Sequence, residues 1–336
     1  MRAHRALYAF APFGTAFAAL LPESRHPGKL ASAALRKAGI DLEQDRSRFE
    51  YDVMLSLWRS MLLLRHGLEA PVPEVEKLLS KEVHGTGLAR VEAILEEEPG
   101  TILAIPHYGA FIPLLMKMSQ VCKGKKKFNV IFNDPKVTPS NAQYGELFAR
   151  LGVDGSVLYP DRRGTISALK ALKRGECLAI LPDVYFGSAT TMAVPFFNRL
   201  LRVMPGTAFL ATRTATKIIP LYATPNRTMG FEVHIGSIID PADHACDDDD
   251  QSQFSIIRAL SSELERQFRS CPAPWNYWAS LRERSTRLPQ PDLSSPASVL
   301  AAIESRVAES PTLLRKVPNL GDDLAAVKLS IPHRSA

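Results

Sequence analysis

The sequence predicts an α/β fold, with a mixed central sheet flanked by helices. Three observations predict it. From Gly100 onward, short apolar runs alternate with amphipathic helical segments, the pattern of a largely parallel or mixed sheet covered on both faces. The chain has 336 residues, 46% of them hydrophobic, which allows one large domain with a sizeable core. No stretch approaches the roughly 18–20 uninterrupted apolar residues of a clear membrane span.

The N-terminal element, residues 1–27, is hydrophobic. Ala6 to Leu21 reads ALYAFAPFGTAFAALL, between Arg2 and Arg5 on one side and Glu23 and Arg25 on the other. As a helix it would span about 24 Å, short of a hydrocarbon core of about 30 Å, and Pro12 and Gly14 weaken it further. Three readings fit: a helix packed on the domain, a shallow membrane anchor, and a signal peptide ending at Ala16-Phe17-Ala18. The cysteines favour the anchor over the signal peptide. Cys122, Cys177, Cys246 and Cys271 are scattered with no CxxC pair, which reads as reduced, structural thiols in a cytosolic setting.

The α/β domain, residues 28–289, opens with helix. Residues 28–66 carry apolar positions at helical spacing, among them Phe49, Val53, Leu57 and Met61. Val72 to Leu95 holds two more helical pieces, broken near His84-Gly85-Thr86-Gly87. Strands are then expected at 101–106, 128–132, 156–159, 177–181, 193–196, 218–222 and 231–238. Helices are expected at 110–121, 140–151, 164–174, 206–216 and 251–269. After Pro289 a linker-like run and a loosely ordered tail, residues 290–336, contain one short helical stretch at 299–309.

The net charge of +6 suits anionic headgroups or an acidic partner. Nucleic acid is not expected, because no RNP-like, helix-turn-helix or zinc-finger spacing occurs. Lys123, Lys125, Lys126 and Lys127 form a basic loop, readable as a solvated turn or as a contact for an acidic partner. Asp247 to Asp250 lack the alternating spacing of a calcium loop and read as a solvated turn. No metal site is expected.

Four segments carry candidate chemistry. Thr101 to Pro106 is a buried strand that ends in His107-Tyr108-Gly109 before a helix, placing His107 at the carboxyl edge of the sheet. A histidine there serves as a general base, or simply packs at the strand end. The N–H groups from Tyr108 to Ala110 are candidate oxyanion donors. Arg162, in Asp161-Arg162-Arg163-Gly164, stands at a helix start, where a cation opposes the helix dipole. That suggests binding of phosphate or carboxylate, or a solvated surface residue. Asp183, in Leu181-Pro182-Asp183, follows a strand and falls on the same sheet edge. Val194-Pro195-Phe196-Phe197 and the helix entry Met204-Pro205-Gly206 offer aromatic and aliphatic walls for an acyl groove, or ordinary core packing.

In this order, His-x-Gly after a strand, Arg before an ALKxGE-like helix, PDxxxG, VPFF and a PxG helix entry resemble the bacterial late acyltransferases of lipid A biosynthesis. That family lies within the lysophospholipid acyltransferase-like group, which has a glycerolipid acyltransferase-like fold. The resemblance covers roughly residues 40–288, including the Trp275 to Arg287 segment. It implies a membrane-associated enzyme at the cytoplasmic face of the inner membrane. Such an enzyme moves a fatty acyl group from a thioester, on acyl carrier protein or CoA, to a hydroxyl or amine of a lipid or glycolipid, with no bound cofactor. His107, Arg162 and Asp183 match the family's histidine, arginine and PD aspartate, and Tyr108, Gly109, Pro195, Phe196, Phe197 and Gly206 fall at substrate-binding positions. The family's His-x4-acid pair is broken here. The acid position is Ile112 and the polar residue before it is Ala110, while Met204 and Asn198 also depart from the pattern. An apolar side chain cannot orient an imidazole, so either another carboxylate replaces it, Asp183 first and Asp134 second, or the substrate supplies the assistance, or transfer is weak or lost. If it is lost, the chain binds acyl carrier protein or lipid without catalysis; a thioesterase is the remaining reading.

Overall fold

The computed structural model describes residues 26–42, 44–139, 141–183, 191–197, 199–226, 230–287 and 301. The hydrophobic N-terminal stretch and the tail fall outside them, apart from His26, Pro27 and residue 301. So do the turn expected at Gly187 and Asn198.

The expected helical stretch at 28–66 is two helices, α1 (Pro27–Ala38) and α2 (Arg46–Glu69). Gly39 takes a left-handed conformation (φ 69°) that closes α1, and Asp45 caps α2 by accepting from the Arg48 N–H. Helix α3 (Val72–Glu82), the two-residue strand β1 (Val83–His84) and α4 (Thr86–Glu97) follow. Strand and helix then alternate through β2 (Thr101–Ala104), α5 (Phe111–Cys122), β3 (Phe128–Ile131), α6 (Asn141–Arg150), β4 (Val157–Leu158), α7 (Arg162–Lys173) and β5 (Cys177–Ile180). The chain continues with β6 (Met192–Phe196), β7 (Arg199–Val203), α8 (Gly206–Thr214), β8 (Ile218–Pro225), β9 (Phe231–Ile235), α9 (Asp249–Ser270), α10 (Leu281–Arg284) and β10 (Ser285–Arg287).

Seven strands form the central sheet in the order β1-β9-β8-β2-β5-β3-β4. Only β8 and β9 pair antiparallel, so the sheet is mixed as expected. The order β10-β7-β6 makes a separate antiparallel sheet. Its β7 and β10 are absent from the sequence reading. Arg199 and Arg202 disguise β7, although both are buried; Arg199 donates to the Ser285 hydroxyl and carbonyl across the sheet.

Alternation of side chains along the strands sorts the core into two layers. Ile102, Ala104, Leu178, Ile218 and Tyr222 meet α1, α8 and α9 on one face. Leu103, Ile105, Ala179, Ile219 and Leu221 meet α3, α4 and α5 on the other. With both faces covered, the carboxyl edge of the sheet is where a ligand can enter. No helix among the described residues is long and apolar enough to cross a membrane.

Candidate active site

Strand register makes the site. Parallel β2 and β5 align Ala104 with Ile180. His107 and Asp183, each the same distance further along, therefore leave the sheet side by side. His107 Nδ1 lies 2.9 Å from Asp183 Oδ1, and the His107 backbone N–H donates to both carboxylate oxygens, at 3.1 and 3.0 Å. The Trp275 indole N–H donates to Oδ2 at 2.9 Å, and the Arg284 guanidinium donates to the Asp183 carbonyl at 2.5 Å.

Asp183 is only 2% exposed. Burial pushes its carboxyl up, but attraction to His107, hydrogen bonds from His107 and Trp275, and the Arg284 charge together hold it below the ordinary aspartate value. An ionised carboxylate only accepts hydrogen bonds, so Nδ1 of a neutral His107 carries the proton and Nε2 keeps its lone pair. The ring sits between Phe111 and Tyr277, each centroid 4.8 Å away. Burial, then the Asp183 charge, raises the Tyr277 phenol, which stays protonated.

The segment after α9 locks this arrangement. Gly109 N–H donates to the Pro274 carbonyl at 2.9 Å, and Asn276 N–H donates to the His107 carbonyl at 3.0 Å. Gly109 has φ +55°, and a Cβ there would lie 2.1 Å from the Ala223 carbonyl oxygen, so only glycine lets the chain turn at this point.

His107 opens onto a cavity of about 700 Å³ along the carboxyl ends of β2, β5, β3 and β4. Phe111, Phe132, Leu181, Phe209 and Leu210 supply apolar wall, and Asn133, Asn141 and Gln253 supply polar groups. Helix α8 also enters the wall at its N-terminus, with Gly206 and Thr207. A Cβ on Gly206 would meet nothing within 4 Å, so its backbone faces open space.

Several expected site residues lie elsewhere. Tyr108 is 1% exposed, stacks on Phe268 and donates to the Cys271 carbonyl at 2.5 Å; it is core rather than substrate wall. The N–H groups of Tyr108 and Gly109 already donate to Pro106 and Pro274, so neither is free to hold an oxyanion. Phe196 is fully buried against Phe268 and Trp275, Phe197 packs on Trp278, and neither these nor Pro195 line the cavity. Strand β6 belongs to the small sheet and turns these rings inward. Arg162 is exposed beside the lining residues Tyr159, Pro160 and Thr165, makes no hydrogen bond or ion pair with any described residue, and does not contact His107. Gly206 does line the cavity. Asp134 closes a local turn by accepting from the Lys136 N–H. Ile112 is 2% exposed in the core beneath the sheet, in the first turn of α5, and Ala110 precedes it at the N-cap.

The lysine loop makes contacts within the chain. Lys123, Lys125 and Lys127 pair with Glu76, Glu96 and Asp154, and Lys126 donates to the carbonyls of Glu98 and Pro99. In the acidic run, Asp248 caps α9 and Asp249 pairs with Arg213 at 2.6 Å. Thr207 and Gln253 carry no signal in the sequence, while Trp275, Tyr277 and Arg284 fall in the 275–287 segment that the resemblance includes without a site role for any one of them. The aromatic cluster Trp275-Asn276-Tyr277-Trp278 was the available signal for Trp275 and Tyr277.

Comparison with known proteins identifies the family. The family model described as bacterial lipid A biosynthesis acyltransferase matches residues 64–281, which include His107, Asp183, Trp275 and Tyr277. A lipid A biosynthesis acyltransferase of Haemophilus influenzae is 29% identical over 142 residues, 41% of this chain and 41% of the relative. The match thus spans about two fifths of that curated relative's length. The family match covers well over half of the chain, and the protein belongs to the bacterial lipid A biosynthesis acyltransferase family.

Proposed function

We propose that the protein is an acyltransferase that moves a fatty acyl group from a thioester, on acyl carrier protein or CoA, to a hydroxyl or amine of a lipid or glycolipid. One observation carries the reading. His107, held at 2.9 Å by a buried Asp183, opens onto a largely apolar cavity. The carboxylate that the usual motif lacks at Ile112 is supplied from the next strand.

In this reaction Nε2 of His107 takes the proton from the acceptor hydroxyl or amine as its oxygen or nitrogen attacks the thioester carbonyl. Asp183 stabilises the imidazolium that forms. The tetrahedral intermediate collapses with cleavage of the C–S bond. The leaving sulfur takes the proton from Nε2, releasing a free thiol and an ester or amide. The carbonyl oxygen of the intermediate is held by N–H groups at the start of α8, Gly206 and Thr207, which have no acceptor within their own helix. Arg162, beside the cavity, engages an anionic headgroup of the acceptor or an acidic face of the carrier. The reaction takes place at the cytoplasmic face of the inner membrane.

The test compares, by mass spectrometry, lipids and small metabolites from native-host cells carrying wild type or His107→Ala. A species heavier by one acyl group, seen only with wild type, supports transfer and identifies the acceptor. Free fatty acid in its place indicates a thioesterase. Identical profiles with both proteins folded would sink catalysis through His107 and leave binding of lipid or carrier as the function.

A further inference from the structure

The cavity wall carries an unused polar pair. Gln253 of α9 is 8% exposed and Thr207 of α8 is 2% exposed, yet both line the cavity. Neither side chain makes a hydrogen bond with any described residue, while Phe209 and Leu210 beside them on the wall are apolar. The polar atoms of Gln253 and Thr207 are not sealed in the core but face the cavity, so their hydrogen bonds are made to whatever fills it. A ligand that displaces water here must match those groups, or their hydrogen bonds are lost.

The charge of the wall limits what that ligand is. Among the described lining residues there is no Asp, Glu, Lys or Arg, and His107 is used by the reaction. A phosphate brought this deep would be a buried anion with no cation beside it, a heavy cost. The partner is therefore neutral. The Gln253 side chain presents a donor and an acceptor in one plane, and a secondary amide offers the matching pair. Thr207 adds a hydroxyl that can donate to the same carbonyl or accept from the same N–H.

We propose that Gln253, assisted by Thr207, forms a subsite for a secondary amide of the substrate, buried in the same cavity as His107. This rests on the acyl-transfer reading for its context. The amide comes either from the pantetheine arm of the thioester donor or from an N-acyl group on the acceptor. Both present the same chemistry to Gln253.

The experiment is a binding titration on the full chain, followed through the Gln253 side-chain NH2 resonances and by calorimetry. It uses three probes: a non-hydrolysable S-alkyl pantetheine, an N-acyl amino sugar, and an S-alkyl oligoethylene glycol of matched length without amides. The variants are Gln253→Met, which keeps shape and volume, and Thr207→Val, which keeps the fold if the first does not. Thermal melts confirm that each is folded. An amide probe should move the wild-type Gln253 resonances and bind Gln253→Met about 10-fold more weakly, the upper range for a neutral hydrogen-bond pair. The amide-free probe should bind wild type and variant alike. Whichever amide probe responds identifies the source. Equal affinity of wild type and both variants for each amide probe would overturn the subsite. So would unmoved Gln253 resonances, or an equal loss with the amide-free probe. No step requires turnover. Loss of acylation in His107→Ala with unchanged binding in Gln253→Met would therefore discard the subsite and keep the function, and the reverse would do the opposite.

Discussion

Asp183→Asn is the perturbation that bears most directly on the proposed mechanism. It preserves shape but changes the hydrogen-bond arithmetic around a group that is 2% exposed. Three N–H donors converge on the carboxylate: the His107 backbone, the His107 ring and the Trp275 indole. An asparagine offers one oxygen and one NH2, so one donor must face another donor. The imidazole can resolve this by moving its proton from Nδ1 to Nε2, where Nδ1 then accepts from the new amide. The fold survives that exchange, but the lone pair that should receive the acceptor's proton is lost. In the serine proteases, the equivalent exchange of Asp for Asn lowers kcat by about 10⁴, close to 5 kcal/mol of transition-state stabilisation. We expect kcat to fall by about 10³–10⁴, with KM changed by no more than about threefold. The assay follows thiol release from an acyl thioester, with the acceptor identified by lipid mass spectrometry. A folded Asp183→Asn protein that retains activity within tenfold of wild type would refute the argument, because neither the tautomer nor the imidazolium would then depend on Asp183.

Two further substitutions probe the same site. Ile112→Glu restores the family's usual acid, but at a 2% exposed position in the core with Nδ1 already engaged by Asp183. The expected outcome is destabilisation by about 3 kcal/mol or more, read by denaturant melts, with no gain in activity; a rise in kcat would show that Ile112 faces the imidazole. Trp275→Phe removes one of the contacts that hold the Asp183 carboxyl low. A carboxyl whose folded pKa is depressed adds stability above its unfolded value near 4, lost as pH falls through the lower folded value. The variant should therefore lose stability relative to wild type at neutral pH, and the deficit should shrink below about pH 4 as the carboxylate protonates. A deficit that is the same at pH 3 and pH 7 would mean only aromatic packing with Phe196, Phe268 and Trp278 was lost.

What the sequence reveals here depends on how local the cause is. Buried parallel strands read as apolar runs, so β2, β3, β5 and β8 were visible, with boundaries displaced by a few residues. Strand β1 has two residues and no periodicity to detect. In β7, Arg199 and Arg202 look like surface residues because the hydrogen bonds that hold Arg199 come from Ser285, which is 86 residues away. The site divides in the same way. His107 and Asp183 could each be placed on the sheet edge, because each follows its own strand. That they touch depends on β2 and β5 being neighbours, a fact of strand order across 76 residues.

The expected site residues that lie away from the cavity have a common cause. Tyr108, Phe196 and Phe197 were matched to the site by motif, and motif position does not say which way a side chain points. Tyr108 follows His107 in the turn beyond β2, and while His107 opens to the cavity its neighbour lies in the core, where it stacks on Phe268. Phe196 ends a strand of the second sheet, Phe197 follows it, and the two build the aromatic block that supports Trp275. Their contribution to the site passes through that support: the block fixes the indole, the indole holds Oδ2 of Asp183, and Asp183 orients His107. The aromatic motif and the histidine are thus physically linked without sharing a substrate. The substitution at Ile112 is compatible with this linkage, because the carboxylate that orients the imidazole follows β5 and is held by Trp275 of the segment after α9, whereas Ile112 is carried by α5.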